Sequence, residues 1–241
     1  MNIVVTGGSR GLGLGMVSYF ASHGHCVAAM GRSARPQLDE DVLYTQGDVG
    51  KAEDQQRLLE SALQEFGSID IWVNNAGVLE PIKPIRDLTV DELETHLRIN
   101  VGGVLIGSQT FIHYRRHAQL RGGALINISS GASQKGYHGW GAYCAGKAAV
   151  DRITETIALE EKEIGLIALS VAPGIIDTEM QALIRQTPES IFPSRPRFVA
   201  LKEQNRFNSP EFVGDTILNW LSNTDPQTNY EITRRVPEQP T

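Results

Sequence analysis

The chain has 241 residues and a formal net charge of −6, which argues against a nucleic-acid partner, because phosphate binding needs clustered Lys and Arg. Hydrophobic residues at 41% and charged residues at 21% provide for a large buried core, so one domain spanning residues 1–241 and a small-molecule ligand are expected. Two cysteines are too few for a metal quartet or a disulfide framework, and no apolar run nears the roughly 20 residues of a membrane span, so the expectation is a soluble, cytoplasmic protein with no metal and no membrane partner.

The opening "MNIVVTGGSRG" enters a strand-like segment at once and leaves no room for a signal peptide. Short β-branched runs then alternate with longer helical patterns, the rhythm of βαβ units around a parallel sheet. Strands are expected at 2–6, 25–30, 42–46, 69–74, 123–129 and 165–172, with a seventh around Tyr230. Helices are expected over 11–22, 52–66, 90–116 with an interruption near Gly102 and Gly103, 142–162 and 210–222. The pattern predicts an α/β, single-domain Rossmann fold, a doubly wound and mostly parallel seven-stranded sheet with helices on both faces. Residues 178–209 hold three prolines within "RQTPESIFPSRPRF" and read as an irregular insertion, a lid over a substrate.

Between the first strand and helix lies "TGGSRGLGLG", with Gly7, Gly11 and Gly13 at the turn. Glycine lets the chain turn sharply and lets a pyrophosphate come close, while the helix N-terminus favours the anion. The spacing T-G-x-x-x-G-x-G differs from G-x-G-x-x-G, so the turn alone is not decisive. The second strand ends in Gly31 and Arg32, where an NAD site would place a carboxylate against the ribose 2′-hydroxyl. Arg32, with Arg10, Ser9 and Ser33, offers donors suited to a 2′-phosphate, and NADP(H) is the expected cofactor.

Four separated motifs then follow one another: "TGGSRGLG" at 6–13, "NNAG" at 74–77, Asn100 in "RINVGG", and Ser129 and Ser130 followed by "YCAGK" at 143–147. In order and spacing they resemble the short-chain dehydrogenase/reductase family over nearly the whole chain. The resemblance implies a catalytic set of Asn100, Ser130, Tyr143 and Lys147, with Ser130 thirteen residues before the tyrosine and Ser129 structural. It implies cofactor contacts at Gly7, Ser9, Arg10, Gly11, Leu12 and Gly13, then at Arg32 and Ser33. Asp48 and Val49 would lie by the adenine, Asn75, Ala76 and Gly77 along the adenosine side. Tyr143 and Lys147 would meet the nicotinamide ribose, with Pro173, Gly174, Ile176 and Thr178 at the nicotinamide. A homodimer or homotetramer is also implied.

The chemistry suits these residue types. Hydride transfer to a carbonyl carbon builds negative charge on the oxygen, which needs a proton. Tyr143 can give one, and Lys147 four residues on, sharing its helix face, is expected to lower the phenol's pKa from about 10. Ser130 would bond the substrate oxygen, and Asn100 would support a proton-returning water.

Within the family, "SGASQKGYHGWGAYCAGKAAVD" and "SVAPGIIDTEMQALIR" resemble the sepiapterin reductase and benzil reductase group. Asp177, Glu179, Met180, Gln181 and Arg185 carry that match, and the ending "TNYEITRRV" departs from 3-oxoacyl-carrier-protein reductases. The implied substrate is a compact ketone or diketone bounded by Ser130, Tyr137, Trp140, Asp177, Met180 and Gln181. Trp140 reads equally as substrate wall or as packing residue. Reduction of 3-oxoacyl thioesters or other alcohol dehydrogenation is the alternative activity, and a non-catalytic NADPH sensor the alternative class. His113 and His117, four apart beside Arg115 and Arg116, read as a solvated helix face rather than a metal pair. Cys26 reads as a core residue and Cys144 as a small residue packed on the sheet.

Overall fold

A computed structural model describes residues 1–228 and 230–240; Asn229, within the closing "TNYEITRRV" segment, and Thr241 lie outside the described residues. Seven strands, β1 (Asn2–Thr6), β2 (Cys26–Gly31), β3 (Leu43–Gln46), β4 (Ile71–Asn74), β5 (Ala124–Ile128), β6 (Ile167–Ala172) and β7 (Thr233–Arg235), form one sheet in the order β3-β2-β1-β4-β5-β6-β7. Every pairing is parallel. Helices α1 (Gly11–Ser22), α2 (Ala52–Phe66), α3 (Val90–Leu97), α4 (Gly103–His117), α5 (Gly141–Glu160), α6 (Glu179–Gln186), α7 (Arg195–Glu203) and α8 (Pro210–Ser222) complete the fold.

Alternation along the strands builds two cores. Ile3, Val5, Val27, Ala29, Ile71, Val73 and Ile126 face α1 and α8, while Val4, Ala28, Met30, Trp72 and Leu125 face the layer with α2 and α4. Because both faces are covered, the strands read as continuous apolar runs rather than as alternating polar and apolar ones. Strand order reverses between β1 and β4, and the crevice outside the carboxyl ends of these strands is where such a sheet binds ligands.

Local signals explain most helix boundaries. Thr89 and Glu92 form a reciprocal capping box at the start of α3, Ser209 accepts from the Phe212 amide before Pro210 opens α8, and Gly67 closes α2 in the left-handed region at φ 76°. The expected interruption of the 90–116 helix is a π-helical turn at Arg98–Gly102, which holds Asn100.

Four expectations are corrected. The 178–209 segment is not irregular: it carries α6 and α7, because Pro188 and Pro193 fall between the helices and Pro196 sits in the first turn of α7, where its missing N–H costs nothing. The last strand begins at Thr233 rather than near Tyr230, whose hydroxyl instead accepts from the Ala168 amide at 3.0 Å and occupies the edge of β6. Cys26 is exposed, not core, since it opens β2 before the buried run begins; Cys144 is half-buried against an aromatic cluster rather than the sheet.

Candidate active site

A continuous cleft of about 1250 Å³ lies along the carboxyl ends of the strands. Its first end is the turn between β1 and α1. Gly7 has φ 70°, and a Cβ there would sit 2.7 Å from the Ala76 Cα; one on Gly13 would sit 2.1 Å from the Gly7 oxygen. Both positions therefore require glycine. Asn75 fastens the facing loop to this turn, donating from Nδ2 to the Thr6 oxygen at 3.0 Å and the Gly7 oxygen at 3.2 Å. Helix α1 starts with no side-chain cap and no acidic residue in its first turn, so its free amides favour an anion from the cleft. Substituting Gly13→Ala is expected to abolish cofactor binding and lower Tm, checked by cofactor titration and thermal unfolding.

Ser9, Arg10, Gly11, Leu12, Arg32, Ser33, Asp48, Val49, Ala76 and Gly77 all line the cleft. The Arg32 and Ser33 carbonyls are held by Gln46 Nε2 and the Tyr44 hydroxyl, both at 2.9 Å. That fixes the loop while leaving the Arg32 guanidinium exposed, with no hydrogen bond or ion pair among the described residues. Arg10 instead pairs with Glu179 on α6 at 2.6 Å, and Asp48 accepts from the Gly50 amide at 2.9 Å. An uncapped helix start, glycines that a Cβ would block and an unpaired guanidinium form a donor set that fits a phosphorylated dinucleotide.

Further along, Tyr143 and Lys147 stand on the first turns of α5 with 8% and 4% of their surface exposed. Lys147 Nζ donates to the Ile128 oxygen at 2.7 Å and lies 5.8 Å from the Tyr143 ring centre. The Ser130 side chain acts on the Tyr143 phenol, and Ser130 Oγ accepts from the Ala132 amide at 3.1 Å. Burial pushes Lys147 down to about 8, with the Asp151 charge opposing. Burial also pushes the Tyr143 phenol above its usual value, only partly countered by Ser130. The net shift is upward rather than the expected downward one, because desolvation of the buried hydroxyl dominates. A phenol held protonated is a proton donor.

Asn100, fully buried, does not line the cleft but backs it. Its Nδ2 donates to the Val78 oxygen at 2.7 Å and its Oδ1 accepts from the Val78 amide at 2.8 Å. A Cβ on Gly77 would lie 3.0 Å from that Oδ1 and 3.7 Å from Lys147 Nζ, so the "NNAG" loop, Asn100 and Lys147 form one packed unit.

The far end of the cleft is apolar. Trp140 stacks on Phe192 with ring centres 4.6 Å apart and meets Tyr137, Tyr143 and Phe198 at 5.1, 5.7 and 5.6 Å. Trp140 is therefore both wall and packing residue, as it also lines the cleft. Met180 and Gln181 of α6 face it, as do Pro173, Gly174, Ile176 and Thr178 after β6. Asp177 does not: its carboxylate pairs with Arg185 at 3.0 Å and with Lys202, tying α6 to α7. Lys202 and Arg185 hold its carboxyl below the usual range. Leu79, Ile175, Leu183, Ile184 and Phe198 line the same end, and of these Leu79 and Phe198 carry no motif that would mark them.

Among the described residues no group of three or more His, Cys, Asp or Glu is placed to hold a metal, and no helix is long and apolar enough to cross a membrane. The His113 and His117 rings meet edge to face at 6.4 Å.

Residues 1–189 match the short chain dehydrogenase family. The chain is 34% identical over 226 residues to a benzil reductase ((S)-benzoin forming) of Bacillus subtilis, covering 90% of this chain and 92% of that one. A benzil reductase ((S)-benzoin forming) of Bacillus cereus is 33% identical over 232 residues, covering 91% and 93%. The crystal structure of the KRED1-Pglu enzyme superposes with a TM-score of 0.81 at 34% identity, covering 93% of this chain and 98% of that one. Members of the matched family are oxidoreductases of alcohol and carbonyl groups that use NAD(P)(H), and this chain belongs to it: it is a short-chain dehydrogenase/reductase.

Proposed function

We propose that the protein is an NADPH-dependent carbonyl reductase acting on a small diketone of the benzil kind, with Tyr143 as proton donor. The observation that carries this reading is Ser130, Tyr143 and Lys147 lining one cleft, Lys147 Nζ 5.8 Å from the Tyr143 ring centre, between a dinucleotide-sized groove and an aromatic wall. NADPH, when bound, supplies the hydride that reaches the carbonyl carbon. Gly7, Gly11, Gly13 and the α1 amides would hold its pyrophosphate, Arg32 its 2′-phosphate, and Asp48 and Val49 its adenine. Asn75, Ala76 and Gly77 would line its adenosine side, and Pro173, Gly174, Ile176 and Thr178 would meet its nicotinamide.

Ser130 orients the substrate oxygen toward the phenol. As negative charge grows on that oxygen, Tyr143 transfers its proton, and the Lys147 ammonium stabilises the phenolate left behind. Trp140, Tyr137, Met180 and Gln181 bound the substrate, whose flat aromatic rings match a wall built from stacked rings. The α6 and α7 segment serves as a lid, held toward the cofactor turn by the Arg10 to Glu179 pair. The enzyme is taken to work in the cytoplasm as a homodimer or homotetramer, on the habit of its family.

The cofactor assignment rests on Arg32. Substituting Arg32→Asp exchanges a donor for a carboxylate that repels the 2′-phosphate and accepts from a 2′-hydroxyl, so the preference for NADPH over NADH in kcat/KM is expected to fall by about 100-fold. Steady-state kinetics with both cofactors check this; equal use of the two by the unmodified protein would contradict the assignment.

A further inference from the structure

His96 lies in the last turn of α3, one helical turn before Asn100, and is 1% exposed. Its Nδ1 is 2.8 Å from the Glu80 oxygen, and its Nε2 is 2.7 Å from Asn100 Nδ2. A carbonyl only accepts, so Nδ1 carries the hydrogen. The orientation of the Asn100 amide is settled independently, because Val78 donates to its Oδ1 and accepts from its Nδ2. Nδ2 therefore faces His96 as a donor, and Nε2 must be the bare acceptor. The chain of bonds from Glu80 through His96 and Asn100 to Val78 closes only with a neutral imidazole. Protonation would set two donors against each other, and turning the amide over would break both bonds to Val78.

We propose that His96, resting on the reading of Tyr143 and Lys147 given above, is a positioning residue that locks Asn100 and the Gly77–Val78 backbone behind Lys147, and that its protonation unlocks the site in acid. From α5 the imidazole is faced by the Tyr143 ring, edge-on at 6.3 Å, by Lys147, and by Gly146, where a Cβ would sit 3.5 Å from Nε2. From the loop before α3 it meets the Glu80 carbonyl. Glu80, Asp91 and Glu92 line the shallow pocket outside it, and Glu92 is paired with Lys83 at 2.6 Å. Burial, reinforced by the Lys147 charge, lowers the imidazole's pKa against the Glu80 bond, so the neutral form holds at neutral pH. Carbonyl reduction consumes a proton and so gains from acid at the chemical step, and a fall of rate in acid is the expected signature of His96 protonation.

Two substitutions and one spectrum test this. In His96→Leu, which offers no acceptor, kcat for benzil reduction is expected to fall by about tenfold or more with KM for NADPH and benzil little changed, because the Asn100 amide loses a buried partner. His96→Gln, which can accept from Asn100 but cannot titrate, is expected to restore most of kcat and to lack the acid limb. Full kcat in His96→Leu, or an unchanged acid limb in His96→Gln, would overturn the proposal. Nitrogen NMR of the ligand-free wild-type protein reads the lock without turnover: a ring protonated at Nδ1 and bare at Nε2 at neutral pH supports it, and a proton on Nε2 overturns it. Failure of the wild-type protein to reduce any carbonyl would instead sink the functional reading, and the spectrum would still decide the lock.

Discussion

Replacing Tyr143 by Phe is expected to lower kcat for diketone reduction by about three orders of magnitude while leaving NADPH affinity within about threefold, the scale set by loss of a general acid. Only the hydroxyl is removed, so the ring keeps its edge-to-face contact with Trp140 and the fold is undisturbed. The phenol is buried and held above its usual pKa, so it is protonated throughout the neutral range and carries the proton the product oxygen needs. Stopped-flow and steady-state rates, with cofactor affinity measured separately, distinguish a lost proton donor from a lost binding contact. Retention of full activity by Tyr143→Phe would mean another group or a water delivers the proton.

The second large effect is at Lys147, where activity and stability are expected to move in opposite directions. Lys147→Met removes the cation that stabilises the phenolate, and kcat should fall by roughly 1,000-fold. The same change relieves a buried charge. With 4% of the side chain exposed and a pKa lowered from 10.5 to about 8, the ammonium costs roughly 3 kcal/mol near neutral pH. Loss of the bond to the Ile128 oxygen returns about 1 kcal/mol of that, and Asp151 loses a nearby cation. A Tm higher by a few degrees is therefore expected, at roughly 2–4 °C per kcal/mol for a chain of this size. The sign follows from proton counting: between pH 8 and 10.5 the unfolded chain holds the proton that the folded one has released, so wild-type stability rises with pH. The advantage of Lys147→Met should be full below pH 8 and fade as pH rises toward 10.5. Thermal unfolding across that range measures it; a lower Tm at pH 7 would show that the lysine stabilises the fold.

The histidine lock has a parallel signature in stability. A group kept neutral in the folded state and free to protonate when unfolded costs stability as pH falls below about 6.5, until the folded state is protonated too.

Much of this architecture was legible in residue pattern. The bounds of α1, α2 and α8 follow from glycines, a left-handed terminator and a Ser-Pro start, all local signals. The cofactor turn was equally plain, since only glycine tolerates the approach of Ala76 to Gly7 and of Gly7 to Gly13. Distance and burial were harder to foresee. A motif position brought Asp177 to attention, but its ion pairs with Arg185 on α6 and Lys202 on α7 depend on how two helices pack within a segment whose prolines suggest no helix at all. The pKa of Tyr143 depends on how deeply the hydroxyl is buried and on where the lysine nitrogen points, and spacing along a helix reports neither. His96 had a visible signal, four residues before Asn100 on the same helix face, yet the intervening π-helical turn and the Glu80 carbonyl that fix its tautomer come from tertiary contacts.

The central claim is that this cleft couples NADPH oxidation to carbonyl reduction. Initial rates of NADPH and NADH consumption by the purified protein with benzil, with the product identified and a 3-oxoacyl thioester run in parallel, test it most directly. The account predicts stoichiometric NADPH consumption, benzoin as product, and kcat/KM higher for NADPH than NADH and for benzil than the thioester. Tight NADPH binding with no turnover of benzil or any other carbonyl would contradict it and identify the protein as a nucleotide sensor.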